Sequence, residues 1–462
     1  MEGGVKGGGE VIFSALNLYP NSVRNITDAK RNKEFLDLLS IYAQLEIEES
    51  VLSHFQTGRI LLNDSNDIPS DFPVAGGNIL HLTYNVQEGP KETEIDCWFR
   101  VVAIKNIIIN ERKQAFTLQL ISEDGWNNMH TVLTSAFEGE PSDIIRKICG
   151  RHLIKSDKKI FADASVGGLK FVCPMWKPSQ AITWVTHKAL SASTDTPGFF
   201  FYETMKGFRF LSTDTMLDYK KNVVITDVMA EVSAERDKGE QVKKGYLYKI
   251  PGIPVHGADG KPKSGMVGSE TMQNVDDFRV LERQTYAKDA INGNIATKHI
   301  THDIFHKSYD VQRFDYWKDF NKVKRIGAER HYEYPDRDLD SNMSVNLTGM
   351  QSRMHSNRKD SPGSRTLYAN DYGLMRKQVL KQINDEVISN FEAPGATLIE
   401  SGRILEFNYP AIRKVNDPED VYQKKFSGYY LIRDVIHIFK PVANTTSSYK
   451  VDMNIVKDGW NA

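Results

Sequence analysis

The stretch Phe426–Trp460 limits the folds open to this chain more than any other. It reads FSGYYLIRDVIHIFKP, then a polar turn VANTTSS, then YKVDMNIVKDGW. In its first half Tyr430, Ile432, Ile436 and Ile438 fall on one side of an alternating pattern, with Asp434 as the exception. In its second half Tyr449, Val451, Met453 and Ile455 alternate with Lys450, Asp452 and Asn454. Period-two alternation on both sides of a Pro/Asn/Thr/Ser-rich turn predicts two half-buried antiparallel strands.

A similar design stands at Trp98–Trp126: WFRVVAIKNIIIN, a charged turn ERKQ, then AFTLQLISEDGW. Ile104-Lys105-Asn106-Ile107-Ile108 lines up with Ile432-Arg433-Asp434-Val435-Ile436, and the second strands align if one residue is skipped. Each half closes on the same four residues, Asp124-Gly125-Trp126-Asn127 and Asp458-Gly459-Trp460-Asn461. Two amphipathic hairpins can look alike for no deeper reason. The shared tetrapeptide at equivalent ends argues instead for a duplicated β-domain, one copy N-terminal and one completed by the C-terminus.

A chain of 462 residues has room for about three or four domains. Its 59 basic and 60 acidic residues leave a formal charge of −1, so no global positive excess exists to condense on phosphates or an anionic membrane. Cys97, Cys149 and Cys173 are widely spaced with no C-x-x-C pair, which fits buried thiols in a reduced compartment better than a disulfide framework or a zinc site. The longest apolar runs, such as Ile107–Ile109, are far too short to span a bilayer. The start, MEGGVKGGGE, is Gly-rich without an apolar core and reads as a flexible leader, so the expectation is a soluble product made in a cytoplasm.

In chain order, strands are expected at Val11–Asn17, Glu34–Ser50, Gly58–Asn63 and Asn78–Tyr84, followed by the Trp98–Ser122 hairpin. Pro141 and Pro178 each open a helix, and GFFFYETMKGFRFLS reads as a hairpin turning near Met205-Lys206-Gly207. Further strands are expected at Asn222–Val228 and Gly245–Ile250, a helix at Tyr372–Phe391 stopped by Ala393-Pro394-Gly395, and closing strands at 396–409 and 426–457. The predicted class is α+β, mainly β. Two similar antiparallel β-barrel domains occupy 1–126 and 214–265 plus 392–462, with an α+β domain at 127–213 and an inserted domain with long polar loops at 266–391.

Chemistry is sparse. His299, His302 and His306 would share one face of a helix and could ligate zinc, but the same segment reads as well as an extended strand. No G-x-S-x-G elbow and no phosphate-binding loop is present, and no carboxylate pair has a local context tied to glycoside hydrolysis. Tyr42, Tyr84, Trp98 and Trp126 sit among β-segments, where aromatics are ordinarily core or interface. Arg353, Arg358, Lys359 and Arg365 read as a solvated loop. No catalytic, cofactor-binding or metal residue is assigned, and no cofactor is expected.

The layout resembles the baseplate hub protein of T-even-type contractile-tailed bacteriophages. The matching pieces are EFLDLLSIYAQLEIEES, PSQAITWVTHKALSASTDTPGFFFYETMKGFRF, GNIATKHITHDIFHKSYDVQRFDYWKDF and the C-terminal hairpin. This chain departs from that form by a longer insertion, roughly 255–370. The resemblance implies a non-enzymatic homotrimer with two barrels per subunit. Six barrels in a ring would then adapt a sixfold tail tube to a threefold spike and line part of the DNA channel. Implied partners are the central spike, a tube initiator or tube protein, the tape measure protein and baseplate wedge proteins. The implied place is the virion tail baseplate, assembled in the host cytoplasm. A muralytic enzyme, a receptor-binding tail protein and the hub of a phage-tail-like injection device are the competing readings.

Overall fold

The N-terminal strands are β1 (Glu10–Tyr19), the two-residue β2 (Leu36–Asp37), β3 (Tyr42–Ser50), β4 (Thr57–Asp64), β5 (Ile79–Val86), β6 (Ile95–Asn110) and β7 (Lys113–Ser122). Alternation sends Ile60, Leu62 and Asp64 of β4 inward. The stretch expected as one strand over Glu34–Ser50 breaks instead at Leu38–Ile41. There Asp37 Oδ1 accepts the Leu39 N–H at 2.9 Å and the Leu38 carbonyl accepts the Tyr42 N–H at 2.9 Å, which makes a turn. A six-residue helix, Ile26–Arg31, was not anticipated; Asn25 caps it by accepting the Asp28 N–H at 2.8 Å.

The computed structural model describes residues 9–65, 68, 72, 74–86, 94–110, 113–194, 197–218, 247–249, 277–282, 295–303, 308–322, 324–330, 344–349, 387–395, 397, 399–408, 426–443 and 445–460. The strand expected at Asn222–Val228 lies outside them.

The following segment carries β8 (Ala136–Gly139), β9 (Lys159–Ala162), β10 (Ser165–Val166), β11 (Leu169–Val172), β12 (Leu190–Ser191), β13 (Phe199–Thr204) and β14 (Gly207–Ser212). The helices expected at Pro141 and Pro178 are Pro141–Ile148 and Pro178–Thr186, each with its proline in the first turn. They pack Ile144, Ile148, Ile182 and Val185 against Phe208 and Phe210 in a core of their own.

The C-terminal strands are β15 (Leu247–Lys249), β16 (Asp277–Glu282), β17 (Ala296–Asp303), β18 (Ser308–Asp315), β19 (Ser344–Gly349), β20 (Val387–Pro394), β21 (Ile404–Asn408), β22 (Gly428–Ala443) and β23 (Thr446–Val456). The helix expected over Tyr372–Phe391 is corrected at its C-terminal end. Val387–Pro394 is a strand, paired with β23 from Ile388↔Ile455 to Pro394↔Lys450 and with β16 on its other side. Residues 372–386 lie outside the described ones. A spacing of apolar residues that suits a helix gives way where two strands offer hydrogen bonds on both edges. β16 falls inside the range expected for the insertion, yet it belongs to the main sheet, whereas β17, β18 and β19 form a separate three-stranded sheet.

The main sheet runs β15-β21-β22-β3-β4-β7-β6-β5-β1-β23-β20-β16, with a further β22–β23 pairing. Two facts are contained in that order. The N-terminal strands are arranged β3-β4-β7-β6-β5-β1, and the C-terminal ones β16-β20-β23-β22-β21-β15. Numbered within each set by chain order, omitting the two-residue β2 and the side sheet β17–β19, both read 2-3-6-5-4-1. The single departure is direction: β1 and β5 are antiparallel, β15 and β21 parallel. The second fact is closure. The six N-terminal strands close into a circuit through the β22–β23 hairpin, because β22 pairs with β3 and β23 with β1. Among the described residues the two β-units expected as separate barrels therefore share one sheet, and one apolar cluster draws on both.

Candidate functional site

The joint between the two strand sets is a built interface. Asp434–Phe439 of β22 lies opposite Ser50–Leu45 of β3, and Glu10–Ile12 of β1 opposite Ser448–Thr446 of β23. Ser50 Oγ donates to Asp434 Oδ1 at 2.5 Å, while the Arg433 and Asn454 side chains donate to Asp434 Oδ2 at 2.9 Å each. Beneath the backbone, Phe13 and Tyr84 of the N-terminal set meet Phe439 at 5.4 and 5.0 Å between ring centroids, and Phe439 stacks on Tyr449 at 4.7 Å. Such pairs contribute about 0.5–1.5 kcal/mol each beyond the area they bury.

The inward face of β22 differs from the one its sequence suggests. A bulge between Ile432 and Asp434 inserts one residue, so after Ile432 the buried positions are Val435, His437 and Phe439 while Ile436 and Ile438 are half-exposed. One extra residue reverses the parity of everything beyond it. On β23 the expected set, Tyr449, Val451, Met453 and Ile455, is buried throughout.

A buried polar seam runs under the joint, where the tip of the β13–β14 hairpin enters the barrel. Glu49 Oε1 accepts the Met205 N–H at 2.6 Å and Gln56 Nε2 at 3.0 Å, and Glu49 Oε2 accepts the Ser401 N–H at 3.2 Å. Lys158 Nζ donates to Glu203 Oε1 at 2.7 Å and to Gln56 Oε1 at 2.5 Å, and Ser122 Oγ donates to Glu203 Oε2 at 2.6 Å. Burial pulls the Lys158 ammonium toward deprotonation, but the carboxylate of Glu203 outweighs it and holds the pKa above its ordinary value. Enclosed and held by both oxygens, the ammonium ties Glu203 to Gln56 as a clamp. Cys97, whose thiol lies 3.6 Å from Met205 Sδ, is pushed up to about 12 by burial and stays protonated. Around the same tip Glu400 pairs with Arg209 at 2.7 Å and Lys206 at 3.2 Å. These groups hold the hairpin tip in place.

The Asp-Gly pair of the repeated tetrapeptide does the same work twice. Asp124 Oδ1 accepts the consecutive Lys155 and Ser156 N–H groups at 2.6 and 3.0 Å; Asp458 Oδ1 accepts the consecutive Ile326 and Gly327 N–H groups at 3.0 and 2.9 Å. The glycine that follows is held by space in both copies. A Cβ on Gly125 would lie 2.7 Å from the Ile121 side chain, and one on Gly459 2.7 Å from the Glu329 carbonyl oxygen.

Counting back from each aspartate aligns the two hairpins by structure. Val435, Ile436 and His437 pair with Met453, Asp452 and Val451; Ala103, Ile104 and Lys105 pair with Gln119, Leu118 and Thr117. Ile104 thus corresponds to Ile436 and not to Ile432, four residues from the match that the pentapeptide suggests. In β22 this segment is covered by β3. In β6 it is not: β5 reaches only to Arg100 and the 77–78 loop takes Val101, so the edge from Ala103 onward has no strand partner but β7 among the described residues. Ile107, Ile108 and Ile109 on that arm are 61%, 65% and 73% exposed.

Of the residues singled out from sequence, Tyr42 and Tyr84 are core, Trp98 stacks on His81 at 3.9 Å, and Trp126 faces the Arg100 guanidinium at 5.8 Å. Cys97, Cys149 and Cys173 are buried free thiols. His299 and His302 stand on β17, a strand, so the one-face helical spacing does not exist there; His306, Arg353, Arg358, Lys359 and Arg365 lie outside the described residues. Sequence reasoning missed Glu49, Lys158, Glu203 and His437. Glu49 had a signal: it shares the parity of Leu45 and Ile47, which marks an inward charge.

No family model matches the chain, and no curated protein matches it. Among solved structures it is similar to a tail protein from Neisseria meningitidis (TM-score 0.49, 8% identity, 97% of each chain covered). It is similar also to the 43 kDa tail protein of prophage MuSo2 from Shewanella oneidensis (TM-score 0.48, 7% identity, 96% of this chain and 98% of that one). A third likeness is to a chain of the Francisella PdpA–VgrG complex (TM-score 0.42, 10% identity, 97% and 58% covered). None of the three reaches a TM-score of 0.5, so none carries weight in assigning a function to this chain.

Proposed function

We propose that this chain is the structural hub of a contractile phage-type tail. Three copies form a ring of six similar β-units that adapts a sixfold tube to a threefold spike, with the lumen passing tape measure protein and DNA. The observation that carries this reading is the strand order 2-3-6-5-4-1 present twice in one sheet. A chain holding two like units supplies a sixfold surface from three subunits, and closed rings require that successive units meet through repeating edges. The joint already built between β22 and β3 is one such meeting. The seam of paired charges beneath it suits a part that must stay rigid under load, and the reading asks for no catalytic step.

The spike would bind on the threefold end and the tube initiator or tube protein on the sixfold end, with baseplate wedge proteins outside. The test is the solution mass of the full chain over a concentration series. The expected species is three copies of a 52.5 kDa chain; a dimer or tetramer at saturation would overturn the ring.

A further inference from the structure

We propose that the β6 arm, from Ala103 to Asn110, adds to the outer edge of β16 in a second copy of this chain. It would repeat between chains the joint that β22 makes with β3 inside one. The inference rests on the ring reading and names the edges that close it.

Within one chain the first β-unit is completed by the hairpin of the other: β3 is second in its set, and the fifth strand of the C-terminal set, β22, covers it. β16 is second in the C-terminal set and, among the described residues, is the last strand of the sheet, its other side held by β20. The fifth strand of the N-terminal set is β6, whose segment equivalent to Val435–Phe439 has an open edge among the described residues. Each open element is thus the counterpart of one half of the closed joint, and β6 and β16 of the same chain do not pair. Among the described residues the second β-unit lacks the strand that β22 supplies to the first, and the arm of a neighbour would fill that place.

The surface agrees. Ile107, Ile108 and Ile109 are consecutive and all more than half exposed, because beyond the barrel both faces of the arm are open. An apolar edge strand left bare is a template for uncontrolled pairing, so a partner that covers it is part of the design. The match ends on the other side of the hairpin. There β4 keeps β7 covered out to Gln114, so the arm offers its β6 edge alone.

The experiment uses the full chain with two changes in one polypeptide, Lys105→Cys and Arg279→Cys, both at exposed positions. The native cysteines are buried and give little background. A short bismaleimide is expected to link chains into dimers and trimers, with neither single variant doing so. In parallel Ile107→Asp/Ile109→Asp is expected to lower the solution mass from three chains to one with an unchanged near-ultraviolet circular dichroism spectrum. If the wild-type chain is a trimer and either the cross-link or the mass change is missing, the arm assignment is overturned and the ring stands. A wild-type chain that is monomeric at every concentration overturns both.

Discussion

Asp124 and Asp458 occupy the same place at the ends of two hairpins, and each takes two successive backbone N–H groups of a neighbouring loop onto one carboxylate oxygen. These aspartates pin the segments outside the barrel to the strands that form it. Removing the acceptor strands two buried donors at about 1–3 kcal/mol each. Asp458→Ala is therefore expected to destabilise by several kcal/mol, measured by chemical denaturation. Asp458→Asn, which keeps an oxygen in place, is expected to cost far less.

Burial raises the Asp458 carboxyl above its ordinary pKa, with the nearby Arg325 and the two amides opposing. A carboxyl raised on folding ionises first in the unfolded chain. Its contribution to stability therefore falls as pH rises from the unfolded to the folded value, then stays level. Asp458→Asn is expected to remove that decline, which titration of the denaturation midpoint from pH 4 upward would show.

The buried Lys158–Glu203 pair should respond unequally to single and double changes. Lys158→Met leaves a buried carboxylate without its cation and is expected to cost about 3–5 kcal/mol; Lys158→Met with Glu203→Leu is expected to recover much of it. A double-mutant cycle of unfolding free energies checks this. Additive losses would contradict the pairing.

Ile432 and Trp460 both belong to the closing hairpin region, but they are not equal. Ile432 is 1% exposed in the shared core, whereas Trp460 is half-buried against Phe426 at 6.3 Å. Ile432→Ala is expected to cost about 2–5 kcal/mol, and Trp460→Ala less. Thermal or denaturant unfolding of the two variants side by side gives the order.

The closing hairpin was readable from residues alone, because β23 alternates without a break and the repeated tetrapeptide marks both copies. The face of β22 was not, since nothing in Ile432-Arg433-Asp434 announces a bulge. The twofold strand order was hidden for a related reason. β15 and β16 are short, and they and β20 lie far apart in sequence and are recognisable mainly by the strands they pair with. β20 read as the end of a helix because Val379, Ile383 and Val387 fall at helical spacing. Of the seam, Glu49 was visible as an inward charge, whereas Lys158 and Glu203 come together only through a contact between distant segments.

A low-resolution reconstruction of the assembled particle, viewed down its axis, tests the duplicated ring most directly. The account predicts strict threefold symmetry with six barrel-like densities in one layer, two from each chain. A ring without threefold order, or a threefold one with three barrels in that layer, would contradict it.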